Sequence, residues 1–302
     1  MRLRGGYPQV FVQMNDVAPA TTHSFRQLFR IIENLRDLFI KAINANGGPT
    51  MLDIARGEIP GLSGVNKFGR STNVDLGIDT DIHDGANSTD DVAIWVAPEA
   101  AVKHNIVSTH ADDDGSPVGD GARTIEVYGL VDWDTKETSE TVTMNGTTDV
   151  LTTNLYVIIH RMKVLTKGVT DVNVGVITAT TDNVAATVTA QINAGEGQTQ
   201  MAIYGIPSIQ TAYMTAYYAS AIKRTGVSVS MSLLIDTDPD TEILNYLIKH
   251  TQGLVTDGTN YLRHVYEPPF KISGPAIIKM QANSSANDTD VSAGFDLVLE
   301  DN

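Results

Sequence analysis

From Arg123 onward the chain alternates polar and apolar residues with a period of two, a pattern that suits strands and little else. The run Thr124-Ile125-Glu126-Val127-Tyr128-Gly129-Leu130-Val131 is the first clear instance. Side chains two apart share one face of a strand, so one face can enter a core while the other meets water. Residues 140–144 repeat the alternation and end on Asn145-Gly146, a strong signal for a tight hairpin. Strand-like runs follow at 155–165, 172–179, 185–192, 200–205, 212–219, 227–235, 261–265, 276–281 and 291–299. Turn residues separate them, among them Lys167-Gly168, Asp182-Asn183 and Gly195-Glu196-Gly197. A parallel α/β sheet needs crossover helices, and only residues 241–250 offer one. The pattern predicts a mainly β fold: an antiparallel β-sandwich or jelly-roll-like body over residues 123–302, with an N-terminal helix and an extended arm.

The arm is expected over residues 1–50. Phe25, Leu28, Phe29, Ile32, Leu35 and Phe39 recur at spacings of three and four, which places them on one face of an amphipathic helix from Thr21 to Ala45. Thr21, Thr22 and Ser24 offer N-cap hydroxyls, and Gly47-Gly48-Pro49 stops the helix. The stripe packs on its own domain or joins copies of the chain; as a joining surface, those six residues are the candidate oligomerisation site. Residues 51–122 read as an irregular, extended linker with short strands at 93–96 and 106–109, of the kind that wraps over a neighbour.

The chain has no cysteine, which excludes disulfides and thiolate metal sites and suits synthesis in a reducing cytoplasm. The first seven residues lack the apolar stretch of a secretion signal, and no apolar run approaches the roughly 20 residues that cross a bilayer. A soluble product and no membrane partner are expected. The net charge of −15 is unevenly spread: residues 1–70 carry nine basic and five acidic side chains, and the remainder twelve and thirty-one. An acidic body repels nucleic acid, so a nucleic-acid partner is not expected for it.

Candidate chemistry is sparse. No Gly-x-Ser-x-Gly elbow occurs, so no catalytic residue is assigned. His104 and His110, with Asp112, Asp113 and Asp114 behind them, match neither a helical pair nor a zinc spacing. Asp236, Asp238 and Asp240 present alternate carboxylates, a layout that calcium favours, but they lack the mid-loop glycine of an EF-hand. They are weak metal candidates that also read as a solvated turn before a helix, with Asp240 as N-cap. His160 sits in an apolar run and reads as a satisfied, half-buried histidine. Gly119, Gly121, Gly195 and Gly197 read as turns, and Tyr213, Tyr217 and Tyr218 as sheet packing. No cofactor is expected. Trp95 and Trp133, the only tryptophans, are the candidate platforms should the body bind carbohydrate.

Three segments carry a resemblance. Residues 54–61 (Ile-Ala-Arg-Gly-Glu-Ile-Pro-Gly) with 65–70 form the first; Gly129-Leu130 with 139–146 form the second; residues 195–199 with Ile206-Pro207 form the third. Together they resemble segments of uncharacterised virion structural proteins of tailed, often marine, bacteriophages. The resemblance spans roughly residues 50–300 and excludes the N-terminal helix. It departs from the family pattern at Pro207, where Ser208-Ile209 stand in place of Ala-Gly. It implies a structural role in the virion, many copies per particle and no catalytic residues. The acidic body on a helical arm adds the expectation of a capsid-associated or decoration protein assembled in the host cytoplasm. The expected partners are copies of itself, with a trimer favoured, and other virion proteins such as the major capsid protein. A tail adaptor or fibre-base protein and a carbohydrate-binding receptor module are the alternatives.

Overall fold

The computed structural model describes residues 50–84, 95–98, 100–183, 186–241, 244–257 and 261–302. The chain divides into two compact units, Met1–Asp53 and Ile54–Asn302. Phe25, Leu28, Phe29, Ile32, Leu35 and Phe39, with the helix predicted to carry them, lie outside the described residues.

A short helix, α1 (Met51–Ala55), comes first. Thr50 and Asp53 cap it reciprocally: Thr50 Oγ1 donates to Asp53 Oδ2 at 2.7 Å and accepts the Asp53 N–H at 3.2 Å. The strands follow as β1 (Leu62–Val74), β2 (Thr80–Asp81), β3 (His104–Ser108), β4 (Ala122–Leu130), β5 (Thr138–Thr143), β6 (Val150–Leu151), β7 (Ile158–Lys167) and β8 (Ile177–Thr181). The remainder are β9 (Val188–Ile192), β10 (Ile203–Ile206), β11 (Gln210–Ile222), β12 (Ser228–Asp236), β13 (Leu247–Val255), β14 (Tyr261–Ser273), β15 (Ala276–Ser284) and β16 (Thr289–Asp301).

These strands form four sheets. The first runs β1-β16-β11-β14; the second runs β10-β15-β12-β13, with β2 also on β15; the third runs β6-β3-β8-β9; the fourth runs β5-β4-β7. Every pairing between these strands is antiparallel. The protein is mainly β with antiparallel sheets, as the alternation predicts. Its four sheets make a propeller-like arrangement that is not clearly the expected jelly-roll sandwich.

The period-two rule sets two cores. On β16, Val291, Ala293, Phe295, Leu297 and Leu299 all enter the first, between the first and second sheets. On β11 the inward set changes phase, from Ala212 and Met214 to Tyr217, Ala219 and Ala221. The cause is a bulge: the register with β16 shifts between Met214 and Ala216, and one extra residue exchanges the faces. The second core gathers Ile125 and Val127 of β4, Ile158 and Met162 of β7, Ile106 of β3 and Ile177 of β8. The second sheet serves both cores, since Ile277 points into one and Ile278 into the other. Each such buried aliphatic side chain contributes about 1.5–3 kcal/mol.

Three expectations are corrected. Residues 51–122 are not merely an irregular linker: β1 runs along β16 from Leu62 opposite Glu300 to Val74 opposite Thr289. Its inward face carries Lys67, Gly69 and Ser71, so it shows no apolar alternation in sequence. Residues 247–250, in the stretch offered as a crossover helix, open β13 instead. Asn145-Gly146 makes a turn, with Gly146 at φ 58°, but not a hairpin, because β6 pairs with β3 and not with β5. Among the described residues no helix is long and apolar enough to cross a membrane.

Candidate functional site

The alternation on β1 is inverted where it matters. Asn66 and Phe68 face outward, while Lys67, only 8 % exposed, faces in. A buried lysine beside an exposed phenylalanine is the reverse of what folding alone selects. Lys67 Nζ donates to the backbone carbonyl of His160.

His160 is brought to that position by a bulge. In the pairing of β4 with β7, Tyr128 stands opposite Arg161 and Gly129 opposite Ile159, so His160 is the extra residue. A bulge re-aims its side chain off the regular pleat. Gly129 makes this possible: a Cβ there would lie 2.1 Å from the Ile158 carbonyl oxygen. The His160 ring lies against Tyr204, tilted by 31° with centroids 4.5 Å apart, and its Nε2 lies 2.5 Å from Glu137 Oε2. Its Nδ1 is buried and has no hydrogen-bond partner among the described residues.

Around these groups lies a cleft of about 530 Å³, lined along one side by residues 61–67 and closed by Lys136, Arg161, Gln210 and Asp301. Lys136 Nζ pairs with Asp301 Oδ2 at 2.6 Å. The Arg161 guanidinium lies over the Tyr128 ring, 5.6 Å from its centroid, and donates to Gln198 Oε1 at 3.3 Å. Burial, helped by the Arg161 charge, brings the Lys67 amine down to about 7. Burial likewise outweighs the Glu137 carboxylate and holds His160 below the ordinary imidazole range. Burial pushes Glu137 up, but the His160 hydrogen bond and the neighbouring cations outweigh it and hold the carboxyl low. The cleft therefore holds an amine that changes charge near neutral pH, a fixed guanidinium and an imidazole with one unused nitrogen.

Sequence reasoning singled out His160 but took it for half-buried and satisfied. It is fully buried, and one ring nitrogen is unpartnered. Lys67 and Glu137 were not singled out. Two signals were present: a charge on the inward register of Val65-Asn66-Lys67-Phe68, and an isolated glycine inside the alternating 124–131 run.

The other candidates lie elsewhere. Asp236 is buried at the end of β12, where Oδ1 accepts the Asp238 N–H at 3.0 Å and Oδ2 the Asn245 N–H at 2.8 Å. Both oxygens hold a turn. A hydrogen bond with Asp240, with some burial, raises Asp238 above the usual carboxylate range. His104 is wholly buried, and burial pushes it down to about 4, whereas His110 is exposed. The two do not share an environment. Among the described residues no three His, Asp or Glu side chains are gathered to hold a metal. Trp95 is buried, and its indole N–H donates to the Thr189 carbonyl at 2.9 Å, so it is no sugar platform. Trp133 packs partly buried on the second core.

No protein-family model and no curated protein sequence matches the chain.

Proposed function

We propose that the chain is a non-enzymatic structural protein of a tailed-phage particle, a capsid-associated or decoration protein that assembles as a homo-oligomer, with a trimer favoured. The observation that carries the assembly reading is a pair of sheet edges with no further strand on them among the described residues. β13 ends the second sheet and β14 ends the first, and both turn apolar side chains to solvent. Ile248 is 64 % exposed and Tyr261 53 %. An edge strand left open invites pairing unless something covers it. Pro268 and Pro269 interrupt β14, whereas β13 holds no proline, so β13 is the edge better suited to a neighbour. The resemblance of three segments to virion proteins supports the particle. In the same proposal the first and second sheets, which share the first core, are the sandwich on display.

Light scattering on the full-length chain tests the assembly. A trimer that dissociates on Ile248→Asp supports it, and a monomer at about 10 µM sinks it. Copy number per particle separates shell from tail: hundreds indicate a decoration protein, and about a dozen indicate an adaptor or fibre base. Normal incorporation of a chain lacking residues 1–50 would remove the arm as the anchor.

A further inference from the structure

We propose that the cleft along β1 binds the carboxylate and adjoining hydroxyls of an acidic sugar unit, with Arg161 and Lys67 holding the carboxylate and His160 Nδ1 accepting from a hydroxyl. This inference does not depend on where the protein is mounted.

The charges of the cleft argue for an anion. Lys136 is matched by Asp301, while Glu137 is hydrogen-bonded to a neutral His160 ring and offsets one of the two remaining cations, which leaves Lys67 and Arg161 together with one positive charge in excess. Among the described residues, neither Lys67 nor Arg161 has a carboxylate within salt-bridge reach. Two cations that share a cleft repel one another, and one of them is also stripped of water. A carboxylate between them removes the repulsion and replaces the lost hydration, and a guanidinium suits its two oxygens.

The unpartnered nitrogen narrows the choice. With Nε2 facing the Glu137 carboxylate, the ring proton resides on Nε2, and Nδ1 is an acceptor. A buried acceptor needs an O–H or N–H donor. Acetate has none, whereas a sugar acid has several. Ser63, Asn66 and Gln210 add polar wall, and about 530 Å³ lies within the range of small-molecule sites. The charged and titratable groups that line the cleft with Lys67 are Tyr128, Lys136, Glu137, His160, Arg161, Tyr204 and Asp301, and of these Arg161 and Glu137 act on its charge. Burial brings the Lys67 amine down to about 7, so its charge changes near neutral pH. Because the anion favours its protonated form, binding takes up a proton.

Isothermal titration of the full-length protein with glucuronate, glucose, acetate and inorganic phosphate tests the assignment. Glucuronate is expected to bind in the millimolar range or tighter, at least about tenfold better than the other three. Its affinity falls as pH rises through about 7, with heats that depend on the buffer. Arg161→Gln, at an exposed position, keeps the thermal midpoint and loses at least about tenfold in affinity. Lys67→Met loses affinity and the pH dependence together. Absence of glucuronate binding up to about 20 mM overturns the proposal, as does equal binding of acetate or phosphate. Unchanged affinity in both variants overturns it as well.

Discussion

Lys279 Nζ stands 3.0 Å from Asp81 Oδ2, and both side chains are almost wholly shielded from water. The pair joins β15 to β2, with the ammonium 4.3 Å from the centroid of the Tyr246 ring. Asp81 also accepts the Trp95 N–H at 2.8 Å and Gln281 Nε2 at 3.1 Å. Removing one member of a buried pair leaves an uncompensated charge, so Lys279→Met is expected to cost about 3–5 kcal/mol. Removing both, in Asp81→Leu/Lys279→Met, costs less than the single change. Urea unfolding of the wild type and the two variants checks this; a double variant weaker than Lys279→Met alone contradicts it.

Asp113 ties three loops together. Oδ1 accepts the N–H groups of Ala122 and Val174, each at 2.8 Å, and Oδ2 accepts the Gly175 N–H at 2.8 Å and the Ser108 hydroxyl at 2.6 Å. Asp113→Ala orphans all four donors in a buried place and is expected to cost about 3–5 kcal/mol. For a unit of this size that lowers the thermal midpoint by about 10 °C. Asp112→Ala next door, at an exposed side chain, changes it little. Similar losses in the two variants would show that the clamp is not the stabilising feature.

Acid should loosen the fold through its buried histidines. Burial brings His104 down to about 4 in the folded chain, against 6.5 when exposed. His83 is lowered to about 4 as well, by burial and then by the Lys279 charge. A depressed folded pKa means that the unfolded chain binds the proton first. The stability that each neutral imidazole contributes is therefore present above about 6.5 and is lost as pH falls toward 4. Each loss is on the order of 3 kcal/mol. Thermal midpoints measured across this range should fall steeply for the wild type and less for His104→Leu. Parallel curves would remove His104 as a cause.

Most of the strands after Arg123 were legible because their inward residues are apolar and their turns carry glycine or aspartate. β16 is the plainest case, with five inward apolar positions in strict alternation. β13 was not legible. Its first three residues are all exposed and only Leu254 reaches the core, so Leu247-Ile248-Lys249-His250 carries no period-two signal. β1 failed for the opposite reason, since its inward face holds a charge and small residues where a core strand shows aliphatics. The Asp113 clamp was visible only as a run of aspartates, because which of the three is buried depends on Ser108 and Gly175 arriving from other strands. The cleft shares that origin: Lys67 meets the His160 carbonyl across 93 residues of chain, and no local pattern encodes such a meeting.

Lys67 should therefore be a residue that the fold would be more stable without. Its pKa is about 7 when folded and 10.5 when exposed, so between these values the unfolded chain holds the proton more tightly. At pH 7 this burial costs on the order of 4 kcal/mol, and the cost fades as pH rises toward 10.5. Lys67→Met removes that cost, loses the hydrogen bond to the His160 carbonyl at about 1 kcal/mol, and fills the same space. The variant is expected to be about 1–3 kcal/mol more stable in urea at pH 7, with the gain shrinking as pH rises. Such a gain, joined to the loss of anion binding, is the trade between stability and activity seen where a strained group is kept for function. A variant less stable than the wild type at pH 7 would mean that the lysine is held by structure alone, and the case for a ligand in the cleft would rest on Arg161 and His160.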